Sequence, residues 1–253
     1  MRDAAVQRAS TGAFDGLAEA YDRFRTGYAP ELYDALFDYG LATAGRVLDL
    51  ATGTGLVAHE LTARGCSVTG VDVSAAMLER ARARVPAATF EPGRAEALPF
   101  ETHAFDGAVC AQAFHWFERR AALAELERVV RPGGVVAVWW KSLMRGDAVR
   151  HARAEAERAA GVEPLPDLVA EGFPEFEASA LADRRLRVIP WLVHTTVADF
   201  LGYERSRARP GTAYGDRAGA YLAALAERLG EPGQTLTLSY LHYLYLGRVA
   251  ENG

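Results

Sequence analysis

The stretch RVLDLATGTG, residues 46–55, joins an apolar run to a glycine turn and decides the fold. Its first five residues are typical of a buried strand, and the turn from Ala51 to Gly55 is followed by an apolar segment with helical spacing as far as about Arg64. Glycines between a strand and a helix allow a ligand to lie against bare backbone at the helix N-terminus. The stretch therefore predicts a binding site at this turn.

The same alternation of short apolar runs and helix-like segments continues along the chain. Runs typical of buried strands occur at residues 67–71, 105–111 and 135–140. Helices are predicted after Ser74 and over residues 119–130, and this alternation is typical of βαβ units with a parallel sheet. Residues 235–246 alternate Leu or Tyr with smaller residues, which predicts an antiparallel last strand at the sheet edge. Residues 186–194, interrupted by Pro190, form a candidate edge strand.

Composition excludes several classes of protein. Of 253 residues, 50% are hydrophobic and 24% are charged, as in globular proteins with a sizeable core. The net charge of -5 provides no positive field that would hold nucleic acid or an anionic membrane. Cys66 and Cys110 are the only cysteines, and no apolar run approaches the roughly 20 residues that cross a bilayer. We expect a cytoplasmic protein that needs no metal.

Two carboxylates frame the predicted ligand site. Asp72 follows a predicted strand next to the glycine turn, where a carboxylate accepts hydrogen bonds from a ribose diol. Asp49 precedes the turn, where it would repel a pyrophosphate but suit a ligand carrying an amino group and a sulfonium. Residues 53–58 also match the looser GxGxxA pattern, so a nicotinamide or flavin cofactor is an alternative. The charge pattern favours a cationic adenosine cofactor.

Together these features resemble the class I S-adenosylmethionine-dependent methyltransferases, in particular the methyltransferase type 11 domain group. The first motif of that family, DxGxGxG, is matched by Asp49, Gly53 and Gly55, with Ala51 in place of the first glycine. We expect this change to be mild, because alanine tolerates many backbone conformations outside the left-handed region, although it slightly narrows the freedom of the backbone there. Similar motifs follow in the family's order at residues 70–72 (GVD), 95–100 (AEALPF) and 131–134 (RPGG).

Two further segments are similar to the branch of the family that contains the trans-aconitate methyltransferases. One is an N-terminal segment that includes Phe14, Tyr21, Arg25 and Tyr28, and the other is QAFHWF at residues 112–117. By this resemblance Arg25 would hold the carboxylate of the cofactor while Tyr21 covers its sulfonium. A solvated helix face is the alternative for this pair.

The resemblance implies an α/β fold with a Rossmann-like, doubly wound sheet of seven strands, mostly parallel with an antiparallel last strand. Residues 1–40 would form an N-terminal helical lid, and residues 41–141 the core that binds S-adenosylmethionine. Residues 142–253 would add a helical insertion and the last strands, completing the same domain. The acceptor pocket is expected between the lid, residues 112–117 and the insertion.

The resemblance and the predicted strand ends give a set of candidate site residues. The candidate cofactor-binding residues are Tyr21, Arg25, Asp49, Ala51, Thr52, Gly53, Asp72, Val73, Met77, Ala95, Glu96, Gln112 and Ala113. The candidate substrate-binding residues are Tyr28, Trp116, Tyr203 and Ser206. His115 is the candidate catalytic residue, because a neutral imidazole can take a proton from a hydroxyl or amine acceptor. A structural histidine is the alternative, since an ionised acceptor needs no base.

The implied function is transfer of a methyl group from S-adenosylmethionine to a small-molecule acceptor, with S-adenosylhomocysteine as the other product. The expected acceptor atom is an oxygen nucleophile, such as that of a carboxylate or hydroxyl. One alternative is a protein that binds S-adenosylmethionine for non-methylating chemistry, and another is a nicotinamide-dependent oxidoreductase. We expect a monomer or homodimer.

Overall fold

Seven strands form one sheet in this computed structural model, which describes residues 26–163, 172–207 and 214–251. The strands are β1 (Arg46–Leu50), β2 (Ser67–Asp72), β3 (Thr89–Pro92), β4 (Phe105–Ala111), β5 (Val130–Leu143), β6 (Ala182–Thr196) and β7 (Thr235–Arg248). They lie in the order β3-β2-β1-β4-β5-β7-β6. Within the described ranges, no helix has both the length and the apolar character needed to cross a membrane.

The strand directions confirm the predicted fold class. Strands β1, β2, β3, β4 and β5 pair in parallel, whereas β7 runs antiparallel to both of its neighbours, β5 and β6. The prediction that the last strand lies at the sheet edge is wrong, because β7 lies between β5 and β6 and its residues 244–247 are all buried. The edge is β6, which accommodates Pro190 because an edge strand leaves one side of its backbone unpaired.

Helices cover both faces of the sheet. They are α1 (Pro30–Tyr39), α2 (Leu56–Ala63), α3 (Ala75–Arg84), α4 (Arg119–Val129), α5 (Ala148–Ala159), α6 (Pro174–Glu177), α7 (Val197–Arg207) and α8 (Ala218–Leu229). Successive side chains of a strand point to opposite faces, as Trp139 and Trp140 of β5 do. Trp139 belongs to a buried cluster with Leu36 of α1 and Leu61 of α2, whereas Trp140 belongs to a second cluster with Leu126 of α4. The sheet is therefore doubly wound.

Strand β5 is longer than predicted, and its extension supports the insertion. Pairing with β4 ends at Trp139, whereas pairing with β7 continues through Lys141, opposite His242, to Leu143, opposite Tyr240. These extended strand ends contribute to a third buried cluster, which they form with helices α5, α7 and α8. The predicted helical insertion thus packs on the part of the sheet that reaches beyond β4.

Candidate active site

The turn after β1 has a backbone conformation that few residues adopt. Ala51 and Gly53 both have a φ angle of 55°, and Gly55 has one of 79°. The expectation that alanine is a mild replacement at position 51 is wrong, because a left-handed backbone costs a residue with a Cβ roughly 1–2 kcal/mol. The turn therefore contains local strain at Ala51.

Three consecutive residues fasten this turn to neighbouring elements. The backbone N–H of Thr52 donates to a carbonyl of β2 at 3.0 Å, and that of Gly53 donates to Oδ2 of Asp72 at 2.9 Å. Arg84 at the end of α3 donates from Nη1 to the carbonyl and the hydroxyl oxygen of Thr54, at 3.0 Å each. The shape of the turn is therefore set by contacts within the protein.

Bare backbone and a carboxylate lie side by side at the carboxyl end of β2. A Cβ placed on Gly53 would have no atom within 4 Å, so this residue borders open space. Asp72 is only half-buried, and its Oδ1 accepts a hydrogen bond of 2.9 Å from the backbone N–H of Ser74. These two backbone donors fix the orientation of the carboxylate. The arrangement is suited to a ribose diol.

Asp49 is a buried carboxylate beneath the turn. The hydroxyl of Thr52 donates to its Oδ2 at 2.6 Å, and the backbone N–H of Ala58 also donates to it. Burial raises the pKa of Asp49 from 3.8 to about 7, against the effect of these hydrogen bonds. Within the described part of the chain, Asp49 forms no ion pair. A cationic ligand group would therefore stabilise its ionised form.

Asp49 and the residues of the turn line one open cleft, and Asp72 is joined to it by its hydrogen bond with Gly53. Its walls are formed by Tyr28, Asp49, Ala51, Thr52, Gly53, Thr54, Leu56, Val57 and Ala111. The structure thus brings four of the predicted cofactor-binding residues together at one place. It also places Tyr28, which was predicted to bind the acceptor, in the wall of the same cleft.

An apolar residue, Val73, directly follows Asp72 in the sequence. Val73 is 43% exposed, so its side chain is accessible to an adenine ring. Met77, by contrast, is 3% exposed and donates its backbone N–H to Oγ of Ser74, which caps α3. Its side chain therefore packs inside the protein.

The AEALPF segment is tied to the start of α4. The carboxylate of Glu96 accepts a hydrogen bond of 3.0 Å from the backbone N–H of Glu118, and it also pairs with Arg94 at 3.3 Å. Ala95 is buried. Because these contacts occupy the side chain of Glu96, its backbone is the part that remains suited to a ligand.

The residues after β4 directly follow Ala111, which ends that strand and lines the cleft. Gln112 has a φ angle of 57°, a second non-glycine residue in the left-handed region, and its Nε2 donates to the carbonyl of Lys141 at 3.1 Å. Ala113 is half-buried, and Trp116 is 41% exposed. Strained backbone of this kind is common at functional sites.

His115 lies between Ala113 and Trp116 in a short helical turn. Its Nδ1 accepts a hydrogen bond of 3.3 Å from the indole N–H of Trp140. Because an indole nitrogen only donates, Nδ1 carries no proton and the neutral ring is protonated at Nε2. Burial, with a smaller effect of Arg119, lowers the pKa of His115 from 6.5 to about 4. To act as a base at Nδ1, His115 would first have to release Trp140.

Other predicted residues lie elsewhere. Tyr203 and Ser206 are in α7, within the insertion, where the hydroxyl of Ser206 is buried and donates to the carbonyl of Tyr203 at 2.6 Å. Ser206 does not line the cleft described above, and its role in binding the acceptor stays a prediction. Tyr21 and Arg25, together with most of the predicted lid, lie outside the described residues.

Two residues at this site were missed by the sequence analysis. Trp140 was assigned only to a buried strand, although it fixes the tautomer of His115. Lys141 was not singled out, although its ammonium contacts Thr26 and Gly27 and its carbonyl contacts Gln112. A signal for Lys141 was present, because it is the only lysine of the sequence.

The cleft fits the cofactor that the sequence predicts, S-adenosylmethionine. The open space beside Gly53 admits a ligand against bare backbone, and Asp72 is held as an acceptor for the ribose hydroxyls. Asp49 is a buried acid without a cationic partner among the described residues, which matches a ligand with positively charged groups. The donors and acceptors present therefore agree with that cofactor.

Comparisons with known proteins agree with this geometry. A family model described as a methyltransferase domain matches residues 48–138. An uncharacterized methyltransferase of Mycobacterium tuberculosis is 38% identical over 130 residues, which cover 51% of this chain and 52% of that protein. This chain thus spans about half the length of that relative.

A second relative is matched over more of its length. The malonyl-[acyl-carrier protein] O-methyltransferase of Erwinia billingiae is 34% identical over 184 residues, 71% of this chain and 69% of that protein. Among solved structures, one described as a candidate type II methyltransferase of Anaeromyxobacter dehalogenans superimposes with a TM-score of 0.70 at 24% identity. That superposition covers 90% of this chain and 100% of the other, and it supports the fold.

Proposed function

This chain belongs to the class I S-adenosylmethionine-dependent methyltransferases, and on that premise we propose that it transfers a methyl group from S-adenosylmethionine to a small-molecule acceptor. The proposed acceptor atom is an oxygen, and a carboxylate is the preferred group. The nicotinamide-dependent oxidoreductase that the glycine pattern left open disagrees with this family membership.

The observation that carries the proposal is that Gly53 and Asp49 line one cleft and that the carboxylate of Asp72 is hydrogen-bonded to the backbone of Gly53. Asp72 would hold the ribose hydroxyls, Val73 would contact the adenine, and the backbone at Gly53 would lie against the ligand. Asp49 would be ionised by the nearby positive charge. When bound, the cofactor supplies a methyl group on a sulfonium sulfur, which makes that methyl group electrophilic.

The role proposed for His115 is hydrogen-bond donation to the acceptor. Trp140 occupies Nδ1, and no described residue accepts a hydrogen bond from Nε2. The Nε2 proton can therefore orient an acceptor oxygen, with the exposed ring of Trp116, 4.7 Å from the imidazole, as an adjacent apolar wall. Alignment of the reacting atoms and exclusion of water are the main requirements of methyl transfer.

This role favours a carboxylate acceptor. A carboxylate is already ionised at neutral pH and needs no base, whereas a hydroxyl or amine must lose a proton. A neutral imidazole held as a donor suits the first case. The name of the Erwinia billingiae relative also specifies transfer to oxygen, which supports this choice. The trans-aconitate branch and the monomeric or homodimeric state remain predictions.

Calorimetry followed by a product assay tests the proposal. We expect the protein to bind S-adenosylhomocysteine and not NAD, since the cleft has a carboxylate where a pyrophosphate would lie. We then expect small carboxylic acids, and not their amides, to yield S-adenosylhomocysteine together with methyl esters that release methanol in alkali. Binding of NAD alone would overturn the assignment. Binding of S-adenosylhomocysteine without turnover of any acceptor would favour the non-methylating alternative.

A further inference from the structure

We propose that Lys141 is a positioning residue of the cofactor cleft, which keeps Tyr28 in the cleft wall by fastening the backbone before Tyr28 to the sheet. The inference rests on the proposed function, because it concerns the cleft in which the cofactor would bind. Lys141 is the only lysine of a sequence with 28 basic residues, so every other one is arginine.

Three oxygen atoms of described residues accept hydrogen bonds from the ammonium group. Nζ of Lys141 donates to the hydroxyl of Thr26 at 2.8 Å, to the carbonyl of Thr26 at 3.2 Å and to the carbonyl of Gly27 at 3.1 Å. An ammonium group has three donors around one point, and these oxygens match that number. A guanidinium is planar with its donors in a fixed fork, so arginine would not reproduce the contacts.

Three aromatic rings in the described part of the chain also lie close to this charge. Nζ lies 4.7 Å from the ring centroid of Tyr240, 5.1 Å from that of Trp191 and 5.5 Å from that of Tyr28. Ring faces attract cations, and the attraction is stronger where water is excluded. Because Trp191 lies in β6 and Tyr240 in β7, the contacts join residues 26–28 to three neighbouring strands.

Lys141 contacts two segments that adjoin residues of the cleft wall. Tyr28, a wall residue, packs edge-on against Trp139 with centroids 5.5 Å apart, directly after the backbone that the ammonium holds. The carbonyl of Lys141 accepts the hydrogen bond from Gln112, which directly follows the wall residue Ala111. Loss of the ammonium would therefore release Thr26 and Gly27 and, with them, the position of Tyr28.

The first test removes the charge while keeping the length of the side chain. In Lys141→Met we expect the affinity for S-adenosylhomocysteine, measured by calorimetry, to fall at least tenfold. We also expect trypsin to cleave the Arg25–Thr26 bond at least tenfold faster, with cleavage after the other arginines unchanged. Lys141→Arg keeps the charge and should recover part of both properties. Wild-type affinity and wild-type cleavage in folded Lys141→Met would overturn the proposal.

A double-mutant cycle tests whether Lys141 acts through Tyr28. Tyr28→Ala should lower the affinity by itself, and Lys141→Met should then have almost no further effect. Equal effects of Lys141→Met in both backgrounds would contradict the proposal. Arg64→Met is the matched control, because Arg64 fastens α1 through Asp34 (2.6 Å) and the carbonyl of Pro30 (3.4 Å) without lining the cleft. Its affinity should stay within twofold of the wild type.

Amine labelling of the wild type gives a readout that does not depend on how the variants fold. An acylating reagent can modify only Lys141 and the N-terminal amine, which peptide mass analysis separates. We expect saturating S-adenosylhomocysteine to slow acylation of Lys141 at least fivefold and to leave the N-terminal rate unchanged. Equal rates with and without ligand would overturn the proposal. If the wild type does not bind S-adenosylhomocysteine at all, the proposed function fails, and the trypsin comparison still decides whether Lys141 fastens residues 26–28.

Discussion

Replacing Ala51 by glycine should stabilise the folded protein. The φ angle of 55° at this position is strained for alanine and freely accessible to glycine. Relief of the left-handed conformation contributes roughly 1–2 kcal/mol. The greater freedom of glycine in the unfolded chain removes about 0.4–1 kcal/mol of that gain. We therefore expect the free energy of unfolding to rise by roughly 0.5–1 kcal/mol in Ala51→Gly.

Gly53→Ala is the matched control, since Gly53 has the same φ angle of 55° in the same turn. An added Cβ would meet no atom within 4 Å, so no steric clash contributes to the result. The backbone strain then acts in the opposite direction, and the free energy of unfolding should fall by roughly 0.5–1 kcal/mol. The two variants together separate backbone strain from packing.

Urea unfolding followed by far-ultraviolet circular dichroism measures both changes, provided that the slope of the transition stays constant. The melting temperature should shift by about 2–4 °C for each kcal/mol in a chain of this size. A lower free energy of unfolding in Ala51→Gly, with the expected loss in Gly53→Ala, would refute the strain at Ala51 and assign the effect to packing of its methyl group.

Three further predictions concern residues of the site, and a fourth concerns the buried His242. Asp72→Ala should weaken binding of S-adenosylhomocysteine by about 1.5–3 kcal/mol, and unchanged affinity in calorimetry would remove Asp72 from the site. The affinity for S-adenosylmethionine should rise with pH through about 7, because a cation favours ionised Asp49, and Asp49→Asn should abolish this dependence. His115→Gln, which keeps a donor, should retain more turnover than His115→Ala, whereas equal losses would support a base. Burial lowers the pKa of His242 from 6.5 to about 4, so the free energy of unfolding should fall as the pH falls through this window, and less steeply in His242→Phe.

Local sequence patterns were sufficient for most of the sheet and for the base of the site. Short apolar runs in the sequence indicated the buried strands. Ser74 caps α3, as predicted. The order of the strands in the sheet could not be predicted in this way, because it depends on contacts between segments that are distant in the sequence. The position of β7 inside the sheet therefore could not be read from its alternating residues.

The features of the site that were not predicted from the sequence were missed for the same reason. The strain at Ala51 is a property of the folded turn, which composition does not reveal. The tautomer of His115 depends on Trp140, which comes from another strand. Lys141 meets residues that are far away in the sequence, among them Thr26 and Tyr240. Contacts of this kind can be recognised only from the three-dimensional structure.

The fastening of the glycine turn has a consequence for the speed of recognition. Thr52, Gly53 and Thr54 are each bound to an element outside the turn, so the loop already has its final shape before a ligand arrives. The entropy of ordering these residues is lost during folding and does not have to be lost again during association. The association rate of a ligand at the glycine turn should therefore be set by diffusional encounter and not by a slow rearrangement of the loop.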